Sequence, residues 1–245
     1  MNSHAMMLGG LEDGGGIDKY TLACIRPKLV GGTYVPGDVS QHNHTVTNTG
    51  ISVIDGPWGD SNGGLYDAGN DVACYTPGTS LFSATSVKDI DFWLMALERP
   101  SSSYNKVVFR LGATGIEYPG FAVYYGAGST GKIRFLISSR LNISTQFVVY
   151  SGDYDYGNIW RHIRVRCPVG TGKFSLYIGG RRIGDTAAHT PNFGATPSLL
   201  LGAEKLVSSW PQNSISKMAE VRISSVVRWT KNFVVPSGPY AISGG

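Results

Sequence analysis

Alternating apolar and polar residues, in short runs, dominate the second half of the sequence. Residues 120–125 and 132–137 are rich in β-branched and aromatic side chains, and a glycine-rich stretch at 126–131 separates them. Two such runs joined by a short glycine-rich loop are typical of a β-hairpin. The pattern therefore predicts two paired strands here.

A second hairpin is predicted between residues 159 and 183. Apolar residues alternate along its first strand with a period of two, which gives a strand one apolar and one polar face. The run 174–178 supplies the second strand and ends at Gly179 and Gly180, where a turn with positive φ costs little. The apolar positions are Ile163, Val165 and Cys167, and the intervening ones are Trp160, His162, Arg164 and Arg166.

The composition indicates the same pattern of short strands and turns over most of the chain. The 245 residues include 33 glycines and 12 prolines, scattered between short apolar runs. Many short strands joined by tight turns are typical of an all-β fold, and one large β domain can reach this length. Residues 20–245 are therefore predicted to form a single domain.

Residues 1–19 contain two glycine clusters with little to bury, so they are predicted to be a flexible arm that packs on a partner if anywhere.

Charge is sparse, which disfavours some partners. Charged residues make up 16% of the chain and the net charge is +4, whereas a dedicated nucleic-acid binder usually carries a denser basic face. The arginines of the second half are spaced through strand-like segments, and we interpret them as solvated strand faces. They are Arg134, Arg140, Arg161, Arg164, Arg166, Arg181, Arg182, Arg222 and Arg228.

The three cysteines indicate a reducing compartment. Cys24, Cys74 and Cys167 have no metal-ligand spacing, and their odd number cannot pair fully within one chain. Each is flanked by apolar residues, so buried free thiols are predicted. Residues 1–8 lack the basic start and apolar stretch of a signal peptide, and no run approaches the length of a membrane span.

Six segments, in order along the chain, carry a family resemblance. They are residues 38–50, residues 63–69, DIDFWL at 89–94, WRHI at 160–163, EVRIS at 220–224, and RWTKNF at 228–233 followed by Pro236. This ordered set resembles the laminin-G-like domains of bacteriophage structural proteins, which have the concanavalin A-like fold. The closing segments are the most specific part of the match.

The resemblance implies an antiparallel two-sheet β-sandwich, a jelly roll whose first and last strands pair. It also implies a virion protein that assembles in the host cytoplasm. The arm at 1–19 would then dock on capsid or tail proteins, with homo-oligomerisation expected. Members of the family commonly bind glycans or other proteins, and the fold alone does not choose between these ligands.

Catalysis finds little support in the sequence. Laminarinase-type glycosidases of the same fold carry a row of carboxylates on one strand, and Asp89 and Asp91 invite comparison with it. Retaining hydrolysis needs a second carboxylate about 5 Å from the first across the scissile bond, but positions 93 and 94 are Trp and Leu. His42 and His44 lack a third metal ligand nearby and are interpreted as a surface loop. His162 is interpreted as a packed or hydrogen-bonded sheet residue.

Calcium remains an alternative at one turn. Asp153, Asp155 and Asn158 place three oxygen-bearing side chains close together, as calcium loops do. Asp, Gly and Asn are also ordinary turn residues that end a strand. We therefore assign no cofactor and no metal ligand.

Loop aromatics are the candidate glycan contacts, because sugar sites stack rings on exposed aromatic faces and fix hydroxyls with a few polar groups. Such residues also pack under their own loops. The candidates are Trp58, Tyr154, Tyr156 and Trp210, whereas the strand aromatics Phe92, Trp93, Phe121, Phe135 and Trp160 are predicted to pack in the core or on a sheet face.

Three functions follow from these observations. The first is a virion decoration, fibre or tail-associated protein that presents a glycan- or host-surface-binding sandwich. The second is a free bacterial carbohydrate-binding module or lectin, which the absence of an export signal disfavours. The third is a laminarinase-like hydrolase, which the missing carboxylate opposes.

Overall fold

The computed structural model describes residues 16–68, 74–100, 105–112, 120–129, 131–140, 145–202, 215–229 and 231–241. Within these ranges the regular structure is β-strand apart from one 3₁₀ turn at Ser80–Phe82. The strands are β1 (Thr21–Val30), β2 (Thr33–Asp38), β3 (Thr47–Asn48), β4 (Ser52–Ile54), β5 (Gly64–Ala68), β6 (Cys74–Tyr75), β7 (Asp89–Ala96), β8 (Lys106–Gly112), β9 (Gly120–Ala127), β10 (Ile133–Arg140), β11 (Gln146–Tyr154), β12 (Arg161–Arg166), β13 (Ser175–Ile178), β14 (Arg181–Asp185), β15 (Ser198–Leu201) and β16 (Ile215–Ser224). No helix in the described ranges is long and apolar enough to cross a membrane.

The strands form two antiparallel sheets that pack face to face. The nine-stranded sheet has the order β14-β13-β12-β7-β16-β1-β2, with β5 also pairing β16 and β4 pairing β5. The seven-stranded sheet has the order β11-β10-β9-β8-β15-β6-β3. The predicted all-β, two-sheet antiparallel sandwich is confirmed.

Alternate side chains of the two sheets meet in one apolar core. Phe92 of the nine-stranded sheet stacks on Phe109 of the seven-stranded sheet, with ring centroids 5.9 Å apart. Phe121 stacks in the same way on Phe174, at 4.9 Å. The alternation seen in the sequence produces this layer, because every second residue of a strand points to the same face.

Both predicted hairpins are present. β9 pairs β10 from Ala127 and Ile133 outward, and β12 pairs β13. Gly179 and Gly180 have φ angles of 57° and 78° and join β13 to β14, as the turn prediction requires. The first and last strands also pair, from Thr21 against Ser224 onward, and the three cysteines are buried and unpaired.

Chain segments near both ends cover the outer face of the nine-stranded sheet. Trp229 and Tyr240, which follow β16, are buried there, and so is Ile17. The backbone amide of Ile17 donates to the carbonyl of Ala241 at 2.7 Å. Residues 16–19, placed with the arm in the sequence prediction, therefore lie on the sandwich. Residues 1–15 of the predicted arm fall outside the described ranges.

The nine-stranded sheet forks along β16. Residues 215–218 of β16 pair with β5, whereas residues 221–224 pair with β1. Glu220 lies between the two pairings with a φ of 51°, and the register of β16 against β7 shifts at this point. A bulge of this kind bends a strand and increases its twist. The β1–β2 and β5–β4 ribbons therefore extend side by side from the same edge of β16, with a cleft between them.

Candidate functional site

Two carboxylates of β7 occupy the centre of the outer face of the nine-stranded sheet. Asp89 accepts two hydrogen bonds from Arg164 of β12, at 2.8 and 2.6 Å. Asp91 accepts two from Arg222 of β16, at 3.2 and 3.1 Å. All four side chains are fully buried. Such two-point pairing matches the planar guanidinium to the carboxylate and is among the strongest hydrogen-bond arrangements in proteins.

The prediction that the arginines are solvated is therefore wrong for three of them. Arg164, Arg222 and Arg228 are buried, and Arg228 pairs with Asp18 through hydrogen bonds of 2.9 and 2.8 Å. The polar face of β12 does point away from the core, but the segment after β16 covers it. Arg166, Arg181 and Arg182 lie beyond that cover and are exposed, as predicted.

Aromatic rings keep this network dry. The guanidinium of Arg222 lies 3.7 Å from the ring centroid of Tyr240. The guanidinium of Arg164 lies 4.5 Å from the ring of Tyr177 and 5.1 Å from that of Trp229. Arginine over a ring face is favourable and more so where water is excluded. The tyrosine hydroxyl of Tyr240 also donates a hydrogen bond to Asp91.

His162 belongs to the same network, and its prediction as a packed, hydrogen-bonded residue is confirmed. Its Nε2 lies 3.2 Å from the hydroxyl of Tyr240. Trp93 contacts the imidazole edge-on at 5.4 Å. Burial lowers the pKa of His162 below its ordinary value, although Asp91 acts in the opposite direction. At neutral pH the ring is a neutral hydrogen-bonding partner in a closed site.

The two β7 carboxylates have opposite pKa shifts. Burial raises the pKa of Asp89 to about 6, in spite of the pairing with Arg164. Burial also acts to raise the pKa of Asp91, but the charge of Arg222, the nearby imidazole of His162 and the hydrogen bond from Tyr240 outweigh it. The pKa of Asp91 therefore lies well below its ordinary value.

These positions explain what the carboxylate row does. A glycosidase needs carboxylates that reach the scissile bond from an open cleft. Asp89 and Asp91 are both buried and committed to arginines, and Glu98, further along the chain, pairs with Lys106 at 3.1 Å. Asp89 and Asp91, which resemble part of a catalytic carboxylate row, instead bond the nine-stranded sheet to the segment after β16 that covers it.

The predicted glycan aromatics do not converge on one site. Trp58 is half-buried and packs edge-on against Trp93 at 5.4 Å. Tyr154 is half-buried, with the guanidinium of Arg161 4.9 Å above its ring. Tyr156 is 40% exposed. Trp210 lies outside the described residues.

The carboxylates of the possible calcium turn have other partners. Asp153 accepts a hydrogen bond from the backbone amide of Ser129 at 3.1 Å. Asp155 forms an ion pair with Lys132. Both contacts tie the end of β11 to the loop before β10. Over the described ranges, no group of three or more His, Cys, Asp or Glu side chains could hold a metal ion.

An open cleft lies in the fork of the nine-stranded sheet, and we call it the fork cleft. Its volume is about 500 Å³. Tyr34, 43% exposed, stands on its rim. The hydrogen-bonding side chains around it are all uncharged, and apolar side chains complete the wall. The lining includes Thr33, Asn48, Ser52 and Asn62, together with Val35 and Val53.

The sequence prediction of glycan contacts is restricted to loop aromatics and therefore misses this cleft, because Tyr34 lies in a strand. The sequence nevertheless contains a signal for an exposed aromatic residue at this edge. Gly31 and Gly32 mark a turn, and Pro36 follows in the next strand, where proline is confined to sheet edges. An edge hairpin with an aromatic residue presents that residue to solvent.

Comparison with known proteins gives matches in structure and none in sequence. No protein-family model matches the chain, and no curated protein matches it. The binding domain of botulinum neurotoxin serotype C1 superposes with a TM-score of 0.60 at 15% identity, over 85% of this chain and 49% of that one. The binding domain of botulinum neurotoxin DC in complex with SialylT gives 0.61 at 14%, over 85% and 48%.

A third matched structure concerns cell entry of botulinum neurotoxin type C, which is dependent upon interaction with two ganglioside molecules. It gives a TM-score of 0.61 at 14% identity, over 84% of this chain and 48% of that one. The present chain thus spans about half the length of these matched chains. At this identity the likeness establishes the shared β-sandwich fold.

Removing the Arg164 guanidinium should destabilise the protein strongly. Arg164→Ala leaves the buried Asp89 without its cation, and breaking a buried pair in this way costs about 3–5 kcal/mol. Urea unfolding followed by tryptophan fluorescence measures the loss. Arg166→Ala, on the same face of β12 but exposed, should change the free energy of unfolding by about 0.5 kcal/mol or less. Equal losses in the two variants would contradict a role for the buried pair.

The opposite pKa shifts predict two separate pH windows in stability. Because the pKa of Asp91 is depressed in the folded state, its contribution is present above the unfolded value of about 3.9 and is lost as pH falls below it. Because the pKa of Asp89 is raised, stability declines as pH rises from about 4 to 6. In urea unfolding from pH 3 to 8, Asp91→Asn should flatten the acid limb and Asp89→Asn the slope between pH 4 and 6. Unchanged slopes in both variants would refute these assignments.

Proposed function

We propose that this chain is a non-catalytic β-sandwich that recognises glycans, and that it serves as a component of a bacteriophage or prophage virion. The fork cleft is the observation that carries the recognition part. It combines an exposed tyrosine ring with uncharged hydrogen-bonding side chains at an open edge of the sheet. Sugar sites use this combination, with a ring for stacking and a few polar groups for the hydroxyls.

The geometry of the fork cleft suits a saccharide of a few units. Its volume of about 500 Å³ falls within the range of small-ligand sites. Asn48 is held in place because its side chain bonds the backbone of Gly50 and Ile51. A wall fixed before binding loses little conformational entropy when the ligand arrives.

The state of the β7 carboxylates supports binding without catalysis. Asp89 and Asp91 are sealed beneath Trp229 and Tyr240 by contacts that stabilise the fold. Opening them to a substrate would expose two paired charges and the rings that cover them. Among the matched structures, one is a binding domain in complex with SialylT, and another concerns the interaction of botulinum neurotoxin type C with two ganglioside molecules.

The virion part of the proposal is supported by the closing segments 220–224 and 228–233, which resemble those of phage laminin-G-like domains. In this proposal residues 1–15 dock the sandwich on capsid or tail proteins, and copies of the chain associate within the particle. The sandwich then faces the host surface with the fork cleft open. Virion assembly would take place in the host cytoplasm, in agreement with three unpaired cysteines.

Truncating Tyr34 should weaken glycan binding. Tyr34→Ala removes the exposed ring of the fork cleft, and we expect a loss of affinity of about tenfold, or about 1.4 kcal/mol. A glycan array followed by calorimetry on the best glycan measures it. Tyr150→Ala is the matched control, because Tyr150 is 54% exposed on the edge strand β11 and does not line the cleft.

Trp58→Ala, Tyr156→Ala and Trp210→Ala belong in the same series. A loss confined to one of these variants, with Tyr34→Ala unchanged, would move the site to that residue. Full binding in all four variants would contradict recognition by aromatic stacking.

Association with virion proteins should depend on the N-terminal residues. Light scattering of the full chain mixed with candidate capsid and tail proteins should show a complex, and removal of residues 1–15 should abolish it while the melting temperature is kept. A monomer that ignores every such protein but binds glycans would instead indicate a free carbohydrate-binding module.

A further inference from the structure

Two adjoining clefts lie at the opposite end of the nine-stranded sheet from the fork, over β12, β13 and β14. Their volumes are about 340 and 310 Å³. Arg166, Ser175 and Arg182 line both, so the two form one continuous depression, which we call the cationic groove. Arg166 and Ser175 are direct cross-strand neighbours in the β12–β13 pairing.

The groove collects cations that have few internal partners. Arg166, Lys173, Arg182 and Lys231 line it, with Asp185 as its one carboxylate. Asp185 pairs with Arg182. Among the described residues, Arg166, Lys173 and Lys231 have no carboxylate within ion-pair distance. The buried arginines of the same sheet behave differently, since each holds a carboxylate by two hydrogen bonds.

The walls of the groove are held rigidly. The backbone amide of Arg182 donates to the side-chain oxygen of Asn232 at 3.0 Å. The amide of Phe233 donates to the carbonyl of Gly180 at 3.0 Å. A Cβ at Gly180 would lie 2.1 Å from the carbonyl oxygen of Phe233, so only glycine allows this approach. These contacts hold Asn232 and Phe233 against the β13–β14 turn, and the adjacent Lys231 lines the groove.

An aromatic ring closes the base of the groove. Tyr177 is buried, and its ring lies against the guanidinium of Arg164 at 4.5 Å. Exposed cations around an ordered wall attract anions, and arginine adds two parallel hydrogen bonds that match carboxylate or phosphate oxygens. Ser175 and Asn232 supply uncharged polar groups beside them.

We infer that the cationic groove binds the acidic group, a carboxylate or a phosphate, of a negatively charged saccharide. The saccharide part rests on the proposed function, whereas the anion part rests on the groove alone. The net charge of the chain is only +4, and the groove is about the size of one or two sugar rings, not of a long polyanion. The protein would then contact an acidic surface polysaccharide at both ends of one sheet.

Calorimetry on the full chain with two pairs of probes tests the inference. A glucuronate-containing oligosaccharide is compared with its carboxyl-reduced form, and mannose 6-phosphate with mannose. We expect at least one acidic probe to bind tenfold or more tightly than its uncharged counterpart. The pair with the larger difference in affinity shows whether the groove prefers a carboxylate or a phosphate. Inorganic phosphate should compete, and the affinity should fall as salt rises.

The variants separate the groove from general charge attraction. Arg166→Ala and Lys231→Ala should each reduce acidic-probe affinity about tenfold, and Arg166→Lys should lose less. Arg181→Ala is the matched control, because Arg181 is exposed beside the groove but does not line it. Melting curves verify that each variant is folded. Equal losses in Arg166→Ala and Arg181→Ala, or no preference for either acidic probe, would overturn the inference.

Two further outcomes are decisive. Tighter binding of a single-stranded DNA oligonucleotide than of both acidic sugars would overturn the saccharide assignment. Tyr34→Ala should keep the acidic preference, because the fork cleft is separate from the groove. If Tyr34→Ala loses glycan binding and Arg166→Ala has no effect, the groove inference is overturned and the proposed function is supported. If Arg166→Ala loses acidic-probe binding and Tyr34→Ala has no effect, the groove inference is supported and recognition at the fork cleft is overturned.

Discussion

The pairing of Asp89 and Asp91 with Arg164 and Arg222 is the constraint on which the rest of the structure depends. Four charged side chains stand on the outer face of the nine-stranded sheet, opposite the face on which the seven-stranded sheet packs. Charges in a dry site are tolerated when each is paired and hydrogen-bonded. The chain meets this condition by placing the segments before β1 and after β16 across the face. The ionic network and its cover therefore depend on each other.

That requirement links distant parts of the sequence. Arg228 donates its backbone amide to Asp89 and its guanidinium to Asp18, so the segment after β16 is bonded to β7 and to the residues before β1. Tyr240 donates to Asp91 and covers Arg222. This polar face is therefore buried as well, beneath the described segments before β1 and after β16.

The same closure determines where function can reside. The middle of the face is occupied by buried ion pairs, so Asp89 and Asp91 bond arginines and do not line an open cleft. Open surface remains at the two ends of the sheet, where the cover stops. One end is uncharged and carries Tyr34, and the other is cationic and carries Arg166. The matched toxin binding domains share the sandwich, but a fold of this kind hosts many ligands and the site residues decide among them.

The sequence by itself determined the fold class, both hairpins and the burial of the three cysteines, because these follow from period-two alternation and local turn chemistry. The family resemblance added the pairing of the first and last strands. Alternation reveals which side of a strand a residue faces, but it does not reveal what covers that side. The sequence therefore predicts Arg164, Arg222 and Arg228 to be solvated, although they are covered by residues far away in sequence.

Only the tertiary structure decided the candidate sites. The fork cleft arises because β16 pairs with two ribbons on one edge, and the cationic groove arises because the segment after β16 returns over β14. Trp58 and Tyr154 were found half-buried against neighbours that no local pattern identifies, while Tyr156 stayed exposed as expected of a turn residue. Open surfaces are the places that packing leaves uncovered, and packing is set by long-range pairing that composition and spacing do not encode.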